Sequence, residues 1–147
     1  MKALIISADN FEDSELLVPY YRLKEAGVEV TVASLSSGSI KGKHGYDVAV
    51  DKTLDEVNPD DYAILILPGG AAPALVRKEP KALEIARSFF TRNKPVAAIC
   101  HGPQSVKTRS AAFAKPSLIN RQRGNRAIRN NIKTYNEFEK STARQIR

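Results

Sequence analysis

The sequence predicts an α/β protein with a doubly wound, mostly parallel sheet. Short apolar runs alternate with amphipathic segments in the order strand, helix, strand, hairpin, strand, helix, strand. Strands that are separated by helices require crossover connections, which make neighbouring strands parallel. A chain of 147 residues suits one compact domain and is too short for two ordinary ones.

Four apolar runs are predicted to form the strands of this sheet. They occupy residues 2–8, 28–33, 62–67 and 95–99. Short apolar runs of this kind are typical of parallel strands that are covered on both faces. Between the second and third runs, residues 36–52 hold three glycines among short β-prone pieces, which predicts a hairpin.

Two segments are predicted to be helices because their apolar side chains recur at helical spacing. These are residues 15–26 and 80–92. Gly27 directly follows the first segment, at the place where a helix-ending glycine is expected. Pro80 suits the first turn of the second helix. Pro19 either lies in a first turn or kinks the first helix.

Charge is distributed unevenly along the chain. Residues 1–103 carry 12 Lys/Arg and 14 Asp/Glu, whereas residues 104–147 carry 11 Lys/Arg and 2 Asp/Glu. After Gln104 there is no regular period and no strand-like apolar run. We therefore predict an α/β domain over residues 1–114, incomplete or atypical after residue 104, and a basic tail over residues 115–147 that is mobile or foreign to the domain.

Composition argues against several classes of function. The apolar start of the chain is too short for a secretory signal, and no stretch is long enough to span a membrane. A single cysteine cannot form an intrachain disulfide, which favours a reducing, cytoplasmic setting. With one cysteine and two histidines we expect no structural zinc, no other metal and no cofactor. The basic tail has few aromatic residues, so we do not expect nucleic acid as a partner.

Three polar or glycine-rich segments follow predicted strands. They are residues 9–12, Gly69-Gly70 and Cys100-His101. In an open parallel sheet, sites lie beyond the carboxyl ends of the strands. We therefore predict that the three segments form one site.

Cys100 is the predicted nucleophile of this site. It stands in the sequence Ala-Ile-Cys-His-Gly, whose small residues permit a sharp turn from a strand into a helix. Such an elbow exposes the sulfur, and the free N–H groups of the following helix lower the pKa of a thiol. The alternative is a buried, inert cysteine.

The other candidate residues each have a functional and a structural interpretation. His101 is a general base or ion-pair partner of the thiol, or contributes only its backbone N–H. Glu12 hydrogen-bonds the sulfur, or is an ordinary carboxylate beside a helix start. Gly69 and Gly70 supply oxyanion-binding N–H groups, or form an ordinary turn. His44 is interpreted as a loop residue rather than a catalyst.

Most of the first 104 residues resemble the DJ-1/PfpI superfamily, and within it the PfpI-type intracellular proteases of archaea and bacteria. The most specific of the matching segments is Lys-Pro-Val-Ala-Ala-Ile-Cys-His-Gly-Pro-Gln, at residues 94–104. The others are residues 8–16, 20–27, 40–46 and 67–70. The resemblance implies a flavodoxin-like fold, a homo-oligomer and a cysteine-dependent site.

The resemblance also implies roles for individual residues. Cys100 is implied as the nucleophile, with Glu12 in contact with its sulfur. The N–H groups of Gly70 and His101 are implied to hold an oxyanion. Ala74 stands where some relatives have a Glu that reaches the histidine of a neighbouring subunit. This departure favours small carbonyl substrates over peptides.

Two classes of function are therefore expected. The first is a cysteine-dependent hydrolase or a glyoxalase or deglycase that acts on a small carbonyl compound or a peptide. The second is a non-enzymatic protein: a redox sensor, a chaperone-like stress protein or an inactive remnant.

Overall fold

The computed structural model describes residues 1–106 and the backbone of residues 118–120. Its strands are β1 (Lys2–Ile6), β2 (Glu29–Ser34), β3 (Gly38–Lys41), β4 (Asp47–Val50), β5 (Lys52–Thr53), β6 (Ile64–Leu67), β7 (Val96–Ala98) and β8 (Leu118–Asn120). Its α-helices are α1 (Asp13–Glu25), α2 (Ala72–Val76) and α3 (Pro80–Thr91). Single 3-10 turns lie at Leu54–Glu56, Pro59–Asp61 and Gly102–Val106.

The main sheet has six strands in the order β5-β2-β1-β6-β7-β8. All five of its strand pairs are parallel. β3 and β4 form a separate antiparallel pair. The predicted α/β fold with a mostly parallel, flavodoxin-like sheet is thus confirmed.

The core forms where the central strands carry only apolar side chains. All four residues of β6 and the last four of β1 are buried. α3 contributes Ala82, Ile85, Ala86 and Phe89 to the same core. A fully buried side chain of the size of Phe89 stabilises a fold by roughly 1.5–3 kcal/mol. The carboxyl ends of β1, β6 and β7 therefore lie side by side at one edge of a packed sheet.

α1 begins at Asp13, two residues before the predicted start. Glu12 is its N-cap residue, with an extended backbone. Pro19 therefore lies inside the helix, where it is buried, and not in the first turn. The earlier start places Asp13 and Glu15 in the first turn, directly beyond β1.

The predicted hairpin is confirmed by the β3–β4 pair, whose register matches Gly38 to Val50 and Lys41 to Asp47. Its loop, residues 42–46, lies against the segment that joins β1 to α1. The N–H of Lys43 donates to the carbonyl of Phe11 at 2.9 Å. The hairpin therefore brings Lys43 and His44 to the same edge of the sheet as α1.

Four elements differ from the sequence prediction, and the first is β5, which was not predicted as a strand of the main sheet. α2 was not predicted, because five residues are too few to show a helical period. The chain after Cys100 forms the 3-10 turn Gly102–Val106 in place of an α-helix. β8 extends the sheet beside β7, although no strand was expected beyond residue 104. The remainder of the predicted basic tail lies outside the described residues.

Within the described residues, no helix has the length and apolar character needed to cross a membrane.

Candidate active site

Cys100 lies in a sharp turn directly after β7. Its φ angle is 51°, in the left-handed region that few residues other than glycine adopt. The N–H of Gly102 donates back to the carbonyl of Ile99 at 2.7 Å, which closes the turn. A Cβ at Gly102 would overlap the carbonyl oxygen of Leu67. The glycine is therefore required where the turn crosses the end of β6.

The strained turn brings two adjacent side chains together. The Sγ of Cys100 lies 3.3 Å from Nδ1 of His101. On a regular helix, neighbouring side chains point apart, so the contact depends on the left-handed backbone at Cys100. The backbone N–H of His101 also hydrogen-bonds the sulfur. The structure thus places both candidate contributions of His101, side chain and N–H, at the thiol.

The carboxyl group that hydrogen-bonds the thiol belongs to Glu15, a residue that sequence reasoning missed. Oε2 of Glu15 also accepts the N–H of Gly69 at 2.8 Å. A Cβ at Gly69 would stand 2.5 Å from that oxygen and 2.9 Å from the N of His101. The absence of a side chain at Gly69 is therefore what lets Glu15 reach Cys100.

Glu12, the predicted partner of the sulfur, lies nearby but is engaged with the hairpin. Its Oε1 is 3.2 Å from Nε2 of His44, and its Oε2 is 3.5 Å from Nζ of Lys43. Glu12 acts on Cys100 through its charge, whereas Glu15 acts through both charge and a hydrogen bond. Glu15 thus makes a carboxyl contact with the sulfur that the sequence assigned to Glu12, and a contact of Glu12 itself stays a prediction.

The environment of Cys100 favours the neutral thiol. Burial, followed by the charge and hydrogen bond of Glu15, raises the pKa of Cys100 above its ordinary value. The N–H of His101 lowers the pKa, and the charge of Glu12 adds to the increase. The expectation of a lowered thiol pKa is therefore wrong, because the short turn after Cys100 does not outweigh burial and two carboxylates.

Gly69 and Gly70 differ in what their N–H groups can do. The N–H of Gly69 is committed to Glu15. The N–H of Gly70 donates to no acceptor within residues 1–106. Gly70 has a φ of 76°, and a Cβ there would overlap the backbone N of Glu12. Of the two glycines predicted to bind an oxyanion, Gly70 is the one whose N–H has no acceptor in the part of the chain that the structure describes.

Asp13 fixes the hairpin loop to the start of α1. Its buried carboxylate accepts the N–H of His44 at 2.9 Å and that of Tyr46 at 3.3 Å. Burial raises the pKa of Asp13, but these backbone donors outweigh it and hold the pKa below its usual value. A Cβ at Gly42 would overlap the same carboxylate. The position of the hairpin loop is therefore fixed by its hydrogen bonds to the Asp13 carboxylate and by the close approach of Gly42 to it.

The acidic and histidine side chains in this region do not make a good metal site. Ligand atoms of Glu12, Asp13 and His44 lie within 4.8 Å of one another. Both oxygens of Asp13, however, accept backbone hydrogen bonds, and Lys43 lies against Glu12. Two open ligands are fewer than the three or four protein ligands of a typical zinc site.

Fold and site together define an α/β protein with a cysteine at a strand-to-helix elbow, facing a glycine-rich loop and a helix start. A family model described as the DJ-1/PfpI family matches residues 1–115. The chain therefore belongs to the DJ-1/PfpI family.

Individual relatives agree with this assignment. "Deglycase PfpI" of Pyrococcus furiosus is 62% identical over 104 residues, which are 71% of this chain and 63% of that protein. "Protein/nucleic acid deglycase 2" of Escherichia coli is 37% identical over 126 residues, covering 80% of this chain and 73% of that protein. A solved two-domain protein of Anabaena variabilis, with DJ-1/ThiJ/PfpI-like and ferritin-like domains, superposes with a TM-score of 0.70 at 34% identity. The superposition covers 71% of this chain and 31% of that one. The chain thus spans about 63% of the length of the first of these relatives.

Proposed function

We propose that the protein is a cysteine-dependent deglycase or related carbonyl hydrolase, with Cys100 as nucleophile and Glu15 as the group that accepts its proton. The observation that carries this proposal is the hydrogen bond between Cys100 and Glu15, beside the N–H of Gly70, which has no acceptor among residues 1–106. Relatives named deglycases support the choice of reaction.

The first chemical step follows from these contacts. The sulfur forms a bond to the carbonyl carbon, the π electron pair of the carbonyl moves to its oxygen, and the thiol proton passes to Glu15. The N–H of Gly70 stabilises the resulting oxyanion. The N–H of His101, which bonds the sulfur in the resting thiol, becomes a second donor once the sulfur has bonded to carbon. Glu15 then returns the proton to the oxygen or to the leaving group.

A neutral thiol suits this step. A cysteine that rests as a thiolate reacts with any oxidant or electrophile that reaches it. Here burial and Glu15 raise the pKa of Cys100, so transfer of the proton to Glu15 assists formation of the nucleophile. The same feature argues against the alternative of a redox sensor, which needs a readily ionised thiol.

Peptide hydrolysis is the weaker alternative for this chain. The histidine beside Cys100 is exposed, and its ring contacts the sulfur. Ala74, in α2, has no group that could orient that ring, even if a second subunit placed α2 nearby. We therefore propose a small carbonyl compound or its adduct as the substrate. We further propose, from the family resemblance and the single cysteine, that the protein works as a homo-oligomer in the cytoplasm.

The test uses methylglyoxal and its adduct with N-acetylarginine as substrates. Cys100→Ser should abolish turnover, and Glu15→Gln should lower kcat/KM by about 100-fold or more, because it removes the proton acceptor. Glu25→Gln, at the far end of α1, is the matched control and should retain activity. Turnover that survives Cys100→Ser would exclude the mechanism.

A further inference from the structure

A three-residue connecting segment, residues 10–12, joins the hairpin to the glycine-rich loop at residues 69–71. Its central residue, Phe11, is fully buried and pairs with Gly42 on one side and with Gly70 on the other. A Cβ at Gly70 would overlap backbone atoms of all three residues of the connecting segment. The position of Gly70 is therefore set at close range by this segment.

Two hydrogen bonds beside Gly70 fix the direction of its N–H. The N–H of Ala71 donates to the carbonyl of Asn10 at 2.8 Å. The N–H of Glu12 donates to the carbonyl of Gly69 at 3.4 Å. Gly70 thus occupies the non-hydrogen-bonded position of an antiparallel bridge, where N–H and C=O groups point away from the facing chain. This geometry explains why the N–H of Gly70 has no acceptor in the connecting segment.

The glycine-rich loop also lies against the elbow that carries Cys100. A Cβ at Gly69 would stand 2.9 Å from the N of His101 and 3.0 Å from the carbonyl oxygen of Ile99. The loop is therefore held between the elbow and the connecting segment. Any change in the segment alters where the N–H of Gly70 lies relative to Cys100.

Asn10 is the residue of the segment that bonds both the hairpin and the loop. Its N–H donates to the carbonyl of Lys41 at 2.7 Å, and its carbonyl accepts the N–H of Ala71. An extended residue directs its N–H and C=O to the same side of the chain, so it cannot bond neighbours on opposite sides. Asn10 can, because its φ is 61°, in the left-handed region that Asn and Gly adopt more readily than other residues.

We propose that Asn10 is a positioning residue of the Cys100 site, whose left-handed backbone holds the glycine-rich loop so that the N–H of Gly70 faces the reacting carbonyl. The proposal rests on the proposed function, since the oxyanion of that reaction is the group that this N–H binds. The N–H acts on charge that develops in the transition state. Its displacement should therefore lower kcat more than it raises KM.

The first measurement is steady-state turnover of methylglyoxal by the full chain. Asn10→Ala should lower kcat by about fivefold with little change in KM, because residues other than Asn and Gly rarely tolerate this backbone. Asn10→Gly adopts the same φ without strain and should retain the wild-type kcat.

Asn93→Ala is the matched control. Asn93 is likewise exposed and left-handed, with a φ of 54°. It lies between α3 and β7, at the other end of β7 from Cys100. Asn93→Ala should lose stability in urea as Asn10→Ala does, but it should keep its kcat. An equal loss of kcat in the two Ala variants overturns the proposal.

Amide hydrogen exchange, followed by NMR, reports on the loop without any turnover. In the wild type the N–H of Ala71 should exchange more slowly than that of Gly70, because it donates to Asn10. Asn10→Ala should speed exchange at Ala71 by about fivefold. Asn10→Gly should restore the slow exchange, and Asn93→Ala should leave it unchanged. An Ala71 N–H that exchanges as fast as that of Gly70 in the wild type, or at the same rate in Asn10→Ala, overturns the proposal.

The outcomes distinguish this proposal from the proposed function. The expected exchange pattern in a chain without carbonyl turnover refutes the deglycase assignment and supports the placement of the loop by Asn10. Turnover that depends on Cys100, with a kcat unaffected by Asn10→Ala, supports the assignment and refutes the positioning role. A folded chain with neither turnover nor the exchange pattern refutes both.

Discussion

Gly69→Ala tests how closely the glycine-rich loop, Glu15 and Cys100 depend on one another. The new Cβ would stand 2.5 Å from Oε2 of Glu15, 2.9 Å from the N of His101 and 3.0 Å from the carbonyl oxygen of Ile99. The last two are backbone atoms of the elbow and cannot move independently. The Glu15 carboxylate is the only one of the three that can give way.

The magnitude follows from what Glu15 loses when it moves. Its 2.8 Å hydrogen bond from the N–H of Gly69 breaks, and hydrogen bonds to charged groups contribute about 1.5–3 kcal/mol. Residual crowding against the elbow adds to this cost. We expect Gly69→Ala to lower the free energy of unfolding by about 2–4 kcal/mol, measured by urea denaturation.

The same substitution should change the chemistry of Cys100 in a characteristic way. With Glu15 displaced, its charge no longer raises the pKa of the thiol, so alkylation at pH 7.5 should become faster. Carbonyl turnover should fall, because the proton acceptor has left the sulfur. A general loosening of the fold does not by itself predict faster alkylation together with slower turnover, so this combination points to Glu15.

A double-mutant cycle shows whether Gly69→Ala destabilises the protein through its contact with Glu15. In a Glu15→Ala background the closest contact is gone, so Gly69→Ala should cost clearly less than in the wild-type protein. If Gly69→Ala destabilises both backgrounds equally, the clash is with the elbow backbone and the reasoning about Glu15 is wrong.

Two other predictions concern the hairpin and α2. Because the folded pKa of Asp13 is lowered, its contribution to stability is present above the unfolded Asp pKa of about 3.9 and is lost as the pH falls through the folded value. Urea unfolding between pH 2 and pH 7 should therefore show a weaker acid dependence in Asp13→Asn than in the wild type, and identical profiles would contradict the role of Asp13. Ala74→Glu should raise cleavage of a peptide substrate if the protein forms oligomers. Light scattering should first confirm that the variant forms an oligomer. If that oligomer gains no cleavage, Ala74 is not the reason that peptide hydrolysis is disfavoured.

Much of the fold could be predicted because strands and helices that are buried along their length have recognisable apolar runs or stripes in the sequence. β6 has four successive buried apolar residues and was located to within two positions of its start. α3 was located to within one residue of its end, since Pro80 and an apolar stripe define it. β5, α2 and β8 were missed because two to five residues show no period. Their positions depend on tertiary pairing.

The site was predicted where it depends on local backbone geometry. The flanking small residues correctly indicated a sharp turn at Cys100, whose φ of 51° confirms it. Which carboxylate reaches the sulfur depends instead on where α1 begins. Glu12 is the N-cap residue with an extended backbone, whereas Glu15 lies in the first turn of α1, so the start of the helix decides between them. The sequence placed that start two residues late.

The state of the thiol illustrates why local rules were insufficient. A helix start lowers the pKa of a cysteine only while no stronger charge lies nearby. The turn Gly102–Val106 is five residues of 3-10 helix and offers a small dipole, whereas Glu15 makes direct contact. Burial and the charge of Glu15 prevail over the dipole because electrostatic effects on a pKa are largest at contact distance and away from water. We therefore expect the reactivity of Cys100 to depend first on Glu15, the carboxylate that hydrogen-bonds its sulfur.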